Sequence, residues 1–276
     1  MPIISIQSSV AYGHVGNSAA VFAMQRLGAE VWPVHTVQLS NHTGYPDWGG
    51  GALGAAHVAE VLAGVERRGG FTHAAGLLSG YAGNPDLVAV IADAVGRLKT
   101  ANPKALFCCD PVLGNDVKGL FVAEEVAVAI KEKLLCRADI ATPNRFELAW
   151  LTGATIDTVD QARTAADQLA AHGPAAVVVS SLPTNAGIGV LVRDNNDTWL
   201  IETPHLDVVA NGAGDCFTAM MLARLVGGAP IAEAAAKAVS SIFGLLSRSD
   251  GGELPIVTAQ DEIVAPGREF VATPLE

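Results

Sequence analysis

Hydrophobic residues fall into short runs that alternate with longer segments of helix-favouring composition. The apolar runs are residues 3–6, 31–34, 74–78, 105–109, 138–141 and 175–179. The segments typical of helices are residues 17–27, 52–66, 85–98, 124–134 and 160–171. Short apolar runs joined by helical crossovers are typical of a parallel sheet that is buried on both faces. The pattern therefore predicts an α/β fold in which helices flank a mostly parallel central sheet.

Boundary signals support two of these helices. Leu27-Gly28 is typical of a helix end, and Thr158 with Gln161 fits a capping box at a helix start. The remaining predicted elements are strands at 189–193 and 198–202, forming a small edge hairpin that turns at 194–197, and helices over 214–246 with an interruption at 227–230. Because no repeat, low-complexity tract or linker divides the chain, we expect a single domain over residues 1–276.

Composition narrows the classes of function. With 50% hydrophobic and only 16% charged residues, the chain is too apolar for disorder. A formal charge of −11 argues against binding nucleic acid or an anionic membrane. No apolar run approaches the ~20 residues of a membrane span, and no signal peptide is recognisable, so we expect a soluble cytoplasmic protein. The cysteines lack zinc-site spacing and are predicted to be reduced and buried: Cys108, Cys109, Cys136 and Cys216.

Polar residues follow the predicted strands. They are Ser8-Ser9, residues 41–44, residues 79–81, Asp110, Thr142 and Ser180-Ser181. Ligands of doubly wound sheets bind at the carboxyl ends of the strands. The sequence therefore predicts one cleft that these residues share.

The strongest chemical signal is Asn211-Gly212-Ala213-Gly214-Asp215, directly before an apolar helical stretch. Glycines let the backbone approach an anion, and the N–H groups and positive dipole of a first helical turn bind it. An aspartate there would repel phosphate, but it could accept the proton of an attacking hydroxyl. The motif thus favours phosphoryl transfer, although alone it would be interpreted as a Gly-rich turn with Asp215 at a helix start.

Two further segments place oxygen-bearing residues just past apolar runs. Asp110 begins one of them, and the other runs from Thr142 to Glu147. Magnesium prefers oxygen ligands and bridges protein carboxylates to nucleotide phosphates. Each segment alone also fits an ordinary turn or helix start. Together, beside a glycine-rich anion site, they favour metal-assisted phosphoryl transfer.

Other motifs exclude alternatives. Gly13 and Gly16 match neither GxGxxG nor the P-loop, so a dinucleotide-binding dehydrogenase is the weakest hypothesis, and we expect a tight turn that begins the first helix. His14, His35 and His42 lack metal-ligand spacing, and only His42 is placed near a substrate.

Taken in order, the motifs resemble those of a known family. The matching segments are Ser9, residues 13–17, residues 40–44, residues 109–112, residues 142–144 with Glu147, and residues 212–215. They resemble pyridoxal kinase, within the ribokinase-like superfamily, over nearly the whole chain. The Gly-Ala-Gly-Asp and Asn-x-x-Glu elements mark the superfamily, whereas the early segments are specific to the pyridoxal branch. The resemblance implies a ribokinase-like three-layer fold and ATP-dependent phosphorylation of the 5′-hydroxymethyl group of pyridoxal, with pyridoxine and pyridoxamine as further candidate substrates.

The resemblance also implies residue roles. Asp215 would be the general base, and the backbone amides of Gly212, Ala213 and Gly214 would form an anion hole. The pyridine substrate would lie among Ser9, Thr43, Gly44 and Tyr81, with Ser9 bonded to the ring nitrogen. The ATP side would comprise Asp110, Thr142, Glu147, Ser180, Asp207, Val208, Val209 and Ala210. Asp110 and Glu147 would serve Mg²⁺, Glu147 through metal-bound water. Potassium is a further candidate cofactor, and a homodimer is implied.

Two positions depart from the family pattern. Relatives often have Lys or Thr where this chain has Ser180, and some have an acidic residue at Asn115, where this chain offers Asp116 one residue later. Residues 114–119 are still expected to cover the nucleotide as a lid. The alternatives are a kinase for hydroxymethylpyrimidine or another small alcohol, and a protein that binds B6 vitamers without turnover.

Overall fold

The apolar runs form strands in the computed structural model, which describes residues 1–195 and 197–276. The strands are β1 (Pro2–Val10), β2 (Glu30–Leu39), β3 (Gly50–Ala52), β4 (Gly76–Ser79), β5 (Leu106–Cys109), β6 (Gly114–Asn115), β7 (Gly119–Leu120), β8 (Ile140–Ala141), β9 (Ala176–Thr184), β10 (Gly187–Asp194), β11 (Asp197–Thr203), β12 (Ala210–Asn211), β13 (Gly252–Glu253) and β14 (Thr273–Pro274).

The helices are α1 (Asn17–Arg26), α2 (Ala55–Arg67), α3 (Gly70–His73), α4 (Pro85–Ala101), α5 (Glu124–Lys133), α6 (Arg145–Thr152), α7 (Val159–Ala170), α8 (Ala213–Val226), α9 (Ile231–Leu246) and α10 (Asp261–Val264), with a 3₁₀ turn at Leu135–Arg137. Side-chain caps begin several of them. Thr158 and Gln161 form the predicted capping box of α7, and Asn144 with Glu147 forms another at α6.

One sheet joins most of the strands, in the order β14-β11-β10-β9-β8-β5-β4-β1-β2-β3. The strands from β9 to β2 pair in parallel, whereas β10, β11, β14 and β3 add antiparallel pairs at the two sides. The chain moves from β1 to β2 in one direction and from β4 towards β9 in the other. The winding therefore reverses between β1 and β4, which is where sheets of this class bind ligands.

Helices cover both faces of the sheet. Ile4 and Ile6 of β1 belong to the core beneath α2 to α7, and Ile3 belongs to the core beneath α1, α8, α9 and α10. Alternate side chains of a strand point to opposite faces, so β1 supplies both cores. All three isoleucines are fully buried, and each such side chain contributes about 1.5–3 kcal/mol. The predicted α/β architecture of a mostly parallel sheet between helical layers is confirmed.

Several strands extend further than the sequence pattern predicted, among them β2, which continues from the predicted run 31–34 to Leu39. β1 continues to Val10 and β9 to Thr184, so Ser8, Ser9 and Ser180 lie within strands rather than after them. The apolar pattern stops early because buried positions such as Gln7 are polar, yet their backbones remain paired with the neighbouring strands. β10 and β11 form the predicted hairpin, whose Asn196 lies outside the described residues.

Other differences are local. β14 pairs with β11, so the predicted hairpin is not the outermost pair of the sheet. The prediction that all four cysteines are buried is wrong for Cys136, which is exposed on the 3₁₀ turn. Among the helices of the described chain, none combines the length and the apolar character needed to span a bilayer.

Candidate active site

The sequence predicts an anion site at residues 212–214, which lie at the N-terminus of α8. Gly212 precedes the helix with φ of 87°, in the left-handed region that favours glycine. A Cβ atom at Gly212 would lie 1.8 Å from the backbone oxygen of His14, so only glycine permits this close approach. The first N–H groups of a helix have no partners within it, and the helix dipole favours a negative charge there. The geometry therefore suits a phosphoryl group.

Asp215 lies in this first turn and contacts the connection after β1. Its Oδ2 accepts a hydrogen bond from the backbone N–H of Gly16 at 2.8 Å, and Gly16 itself caps α1 with φ of 54°. Burial raises the pKa of Asp215, while the Gly16 hydrogen bond opposes that rise. A desolvated carboxylate with raised proton affinity, beside an anion site, is suited to act as a general base.

Asp110 and Thr142 meet through a residue that the sequence analysis did not identify. Thr218 Oγ1 lies 3.2 Å from Asp110 Oδ2 and 3.1 Å from Thr142 Oγ1, and all three residues are buried. Thr218 follows Asp215 by about one turn of α8, so one helix carries the candidate base and this contact. The pKa of Asp110 is raised well above its ordinary value. Burial is the largest cause, and repulsion from Glu147 and Asp215 adds to it.

The Glu147 carboxylate forms hydrogen bonds with both the segment after Asp110 and the start of α6. Its Oε1 accepts from the N–H of Leu113 at 2.7 Å, and its Oε2 accepts from the N–H of Asn144 at 2.9 Å. Burial raises the pKa of Glu147 to about 7; these backbone hydrogen bonds oppose the rise and the charge of Asp215 adds to it. Asp110, Glu147 and Asp215 therefore concentrate negative charge at one edge of the sheet.

These three neighbouring carboxyl groups, whose pKa values are raised, fit a site for a divalent cation. Within residues 1–195 and 197–276, no three His, Cys, Asp or Glu side chains are grouped as a complete metal site. Magnesium does not need such a group, because it is commonly held by one or two carboxylates, water and nucleotide phosphates. Asp110 and Glu147 supply oxygen ligands of that kind, so the donor set fits Mg²⁺ bound together with a nucleotide.

Residues 114–119, which the sequence analysis expects to act as a lid, fold into the hairpin of β6 and β7, and contacts at its base anchor this hairpin. Asn115 Oδ1 accepts from the N–H groups of Val117 and Lys118, at 3.1 and 2.9 Å. Asp116 forms an ion pair with Arg145 of α6 at 2.8 Å. Asp116 therefore holds the hairpin to α6, while Val117 at the tip is 92% exposed.

The residues predicted to bind the pyridine ring lie near the carboxyl ends of three strands. Ser9 is at the end of β1, Thr43 and Gly44 follow β2, and Tyr81 follows β4. Ser9 is buried, with its Oγ 3.1 Å from Ser18 Oγ, whereas Thr43 and Gly44 are exposed in the loop after β2. Tyr81 is half-buried, and its carbonyl accepts from Thr36 Oγ1 at 2.6 Å. The sheet brings these residues to one edge, although in the described chain no hydrogen bond joins Ser9 to Thr43.

The other residues predicted on the nucleotide side are less enclosed. Ser180 of β9 forms a parallel β-bridge with Asn144, the residue that caps α6, so Ser180 lies beside the start of α6. Asp207 and Val209 are exposed, Val208 is partly buried, and Ala210 begins β12 immediately before the anion site. A loop of this kind has room to contact a bound nucleotide.

A separate open groove of about 640 Å³ lies along α4. Its charged side chains include Lys133 and Arg137 as well as Arg97, which forms ion pairs with Glu66 and Asp93. It includes none of the site residues described above, so we assign the chemistry to the carboxyl edge of the sheet.

Comparison with known proteins shows which family the chain is similar to. Residues 77–250 match the family model of phosphomethylpyrimidine kinase. The chain is 46% identical to pyridoxal kinase PdxY of Rubrobacter xylanophilus, over 97% of this chain and 95% of that protein. It is 43% identical to pyridoxal kinase PdxY of Corynebacterium diphtheriae, over 98% of each. The solved structure of pyridoxal kinase from Leishmania donovani with ADP and pyridoxine matches with a TM-score of 0.93 and 31% identity, over 100% of this chain and 99% of that one.

Proposed function

The chain belongs to the pyridoxal kinase family, and on that premise we propose that it transfers the γ-phosphoryl group of ATP to the 5′-hydroxymethyl group of pyridoxal. The observation that carries the proposal is the position of Asp215, in the first turn of α8 and hydrogen-bonded to Gly16. That arrangement supports the proposal because the carboxylate of Asp215 would then lie between the phosphoryl group at the start of α8 and a ring at the strand ends.

Each group then has a defined task. The hydroxyl oxygen of pyridoxal attacks the γ-phosphorus, the bond to the β-phosphate oxygen breaks, and ADP leaves. Asp215 accepts the hydroxyl proton, and its bond to Gly16 fixes the orientation of the carboxylate. The N–H groups of Gly212, Ala213 and Gly214 stabilise the charge on the transferred group.

Mg²⁺ would be held by Asp110 and, through water, by Glu147, close to the phosphates of ATP. When bound, it would neutralise charge on those phosphates. Thr218 orients the carboxylate of Asp110 by donating a hydrogen bond to its Oδ2, and the hydroxyl of Thr142 in turn contacts Thr218.

The raised pKa of Glu147 predicts a pH-dependent affinity for Mg²⁺. Because its pKa is about 7, Glu147 is mostly protonated at pH 6 and mostly ionised at pH 8. Cation binding favours the ionised form, so Mg²⁺ should bind the ADP complex about tenfold more tightly at pH 8 than at pH 6. Calorimetric titration of the ADP complex with Mg²⁺ measures this. Glu147→Gln is the control, because any pH dependence of Mg²⁺ affinity that this variant retains comes from ADP or from other groups. Equal pH dependence in the wild-type protein and the variant would contradict the prediction.

The proposed activity is tested by incubating the protein with ATP, Mg²⁺ and pyridoxal and measuring pyridoxal 5′-phosphate. We expect product that requires ATP. Pyridoxal binding without product would instead favour a vitamer-binding protein.

A second candidate substrate is hydroxymethylpyrimidine, because the matching family model is that of phosphomethylpyrimidine kinase. Both substrates present a hydroxymethyl group on a nitrogen heterocycle, so the same base and anion site would serve either. A comparison of kcat/KM for pyridoxal, pyridoxine, pyridoxamine and hydroxymethylpyrimidine separates them. We expect the pyridine alcohols to be preferred, and a higher kcat/KM for the pyrimidine would assign the chain to the second function.

Three further predictions accompany the activity. We infer that residues 1–276 form one domain, because the same sheet contains strands from both ends of the chain. The homodimer implied by the resemblance stays a prediction, which sedimentation would contradict by finding only monomer. Potassium as a cofactor also stays a prediction, and rates measured in potassium and sodium buffers test it.

A further inference from the structure

Glu253, near the far end of the chain, contacts two loops of the proposed ring site. Its Oε2 accepts from the backbone N–H of His14 at 2.8 Å, and its Oε1 accepts from the hydroxyl of Tyr45 at 2.9 Å. His14 belongs to residues 12–16, which we call the glycine loop, and Tyr45 belongs to residues 41–45, which we call the ring loop. One carboxylate therefore joins two loops that follow different strands.

The backbone of Glu253 pairs with the segment that leads into α8. β13 pairs in parallel with β12, and Glu253 lies opposite Asn211, the residue before Gly212. The glycine loop is in turn bonded to Asp215 through Gly16. Glu253 thus lies where the segment leading to the anion site meets both loops.

The contact is closely fitted. A Cβ atom at Gly13 would lie 2.3 Å from Glu253 Oε2, and Gly13 has φ of 90°. The rings of Tyr12 and Tyr45 also meet edge to face, with their centroids 6.1 Å apart. Both observations indicate that the two loops are packed against each other around the carboxylate.

The ring loop lies near two side chains of opposite charge, Lys118 and Glu253. A Cβ atom at Gly44 would lie 3.4 Å from Nζ of Lys118, which belongs to the lid hairpin. The pKa of His42 is lowered by burial and then by Lys118, and the charge of Glu253 opposes both. The ring loop therefore lies between a cation on the nucleotide lid and an anion on β13.

We propose that Glu253 is a positioning residue that fixes the glycine loop and the ring loop in their ring-binding arrangement, and so sets the KM for pyridoxal. It does not contact the reacting atoms and acts through His14 and Tyr45. The proposal rests on the proposed function, since it concerns the binding of the same pyridine substrate.

Glu253→Gln tests the proposal by steady-state kinetics. A glutamine offers one acceptor oxygen in place of two, so it cannot accept from both His14 and Tyr45 through separate oxygens. The KM for pyridoxal should rise about tenfold, the scale of a lost hydrogen bond to a charged group, whereas kcat and the KM for ATP should change less than about twofold. Glu269→Gln is the matched control, because Glu269 is exposed in the same C-terminal segment, and it should behave as wild type.

Tyr45→Phe gives a second test that removes the Tyr45 hydroxyl alone. It should raise the KM for pyridoxal about threefold, and the double variant should be no worse than Glu253→Gln, because both changes break the same contact. Fully additive effects would overturn the proposal. So would a parallel fall in kcat, ATP affinity and Tm of Glu253→Gln, which would indicate a merely structural role.

A spectroscopic measurement separates this proposal from the proposed function. The hydrogen bond to Glu253 raises the pKa of Tyr45, and the chain has three tyrosines, so carbon NMR of labelled tyrosine rings can follow each one in the ligand-free protein. Glu253→Gln should lower the pKa of Tyr45 only, and an unchanged Tyr45 titration would overturn the contact. A wild-type protein that shows this titration but makes no pyridoxal 5′-phosphate would instead overturn the proposed function.

Discussion

Replacing Asp215 with asparagine is expected to lower kcat by about 10²–10⁴-fold, the usual contribution of a general base, while the affinities for ATP and pyridoxal change less than about threefold. Asparagine has nearly the same volume, and its side-chain oxygen can still accept from the N–H of Gly16. It cannot take up the proton of the substrate hydroxyl. The measurement is kcat at saturating ATP and pyridoxal, with affinities measured by equilibrium titration.

The thermal stability of Asp215→Asn distinguishes lost chemistry from lost structure. Burial raises the pKa of Asp215 in the folded protein. As the pH rises, the unfolded chain therefore loses this proton before the folded chain does, and stability falls through that interval. At neutral pH the ionised carboxylate is thus destabilising, and a neutral asparagine should leave Tm equal or higher. A variant that kept kcat within about tenfold of wild type would exclude Asp215 as the base.

Gly212→Ala is expected to produce the second large effect, a loss of about 10²–10³-fold in kcat, comparable to the removal of one donor from an anion hole. The new Cβ atom would lie 1.8 Å from the His14 oxygen, at a φ of 87° that alanine rarely adopts. The first turn of α8 must then move away from the glycine loop. The hydrogen bond from Gly16 to Asp215 is lost with that movement, so both the anion site and the base are displaced.

Kinetics and thermal unfolding of Gly212→Ala should be compared with Gly96→Ala. Gly96 lies in α4, and a Cβ atom there would meet nothing within 4 Å. That control should keep wild-type kcat and an equal or slightly higher Tm, because alanine favours helices over glycine. Gly212→Ala should also unfold several degrees lower. Activity within about threefold of wild type would show that the close approach of Gly212 to His14 is not required for catalysis.

The sequence was most informative where structure depends on neighbouring residues. The start of α8 at Gly212, with Asp215 in its first turn, could be predicted because these residues are close in sequence and a helix start needs only local geometry. The α7 capping box was predictable for the same reason. Thr218 could also have been found, since it lies one turn after Asp215 on the same helix.

Contacts between distant parts of the chain could not be predicted from the sequence alone. Glu253 reaches His14 across 239 positions and Tyr45 across 208, and no local pattern marks such a contact. The ends of β1 and β9 were missed because polar residues continue these strands, buried ones in β1 and partly or fully exposed ones in β9, whereas the prediction relied on apolar character. Their pairing depends on neighbouring strands, which only the folded sheet provides.

The central claim, that the site at the N-terminus of α8 transfers a phosphoryl group from ATP to the 5′-hydroxyl of pyridoxal, is tested most directly by product stoichiometry. Wild-type protein, Mg²⁺, ATP and pyridoxal should yield ADP and pyridoxal 5′-phosphate in equal amounts, and Asp215→Asn should yield almost none of either. ADP formed without pyridoxal 5′-phosphate, or pyridoxal 5′-phosphate formed equally well by Asp215→Asn, would contradict the account.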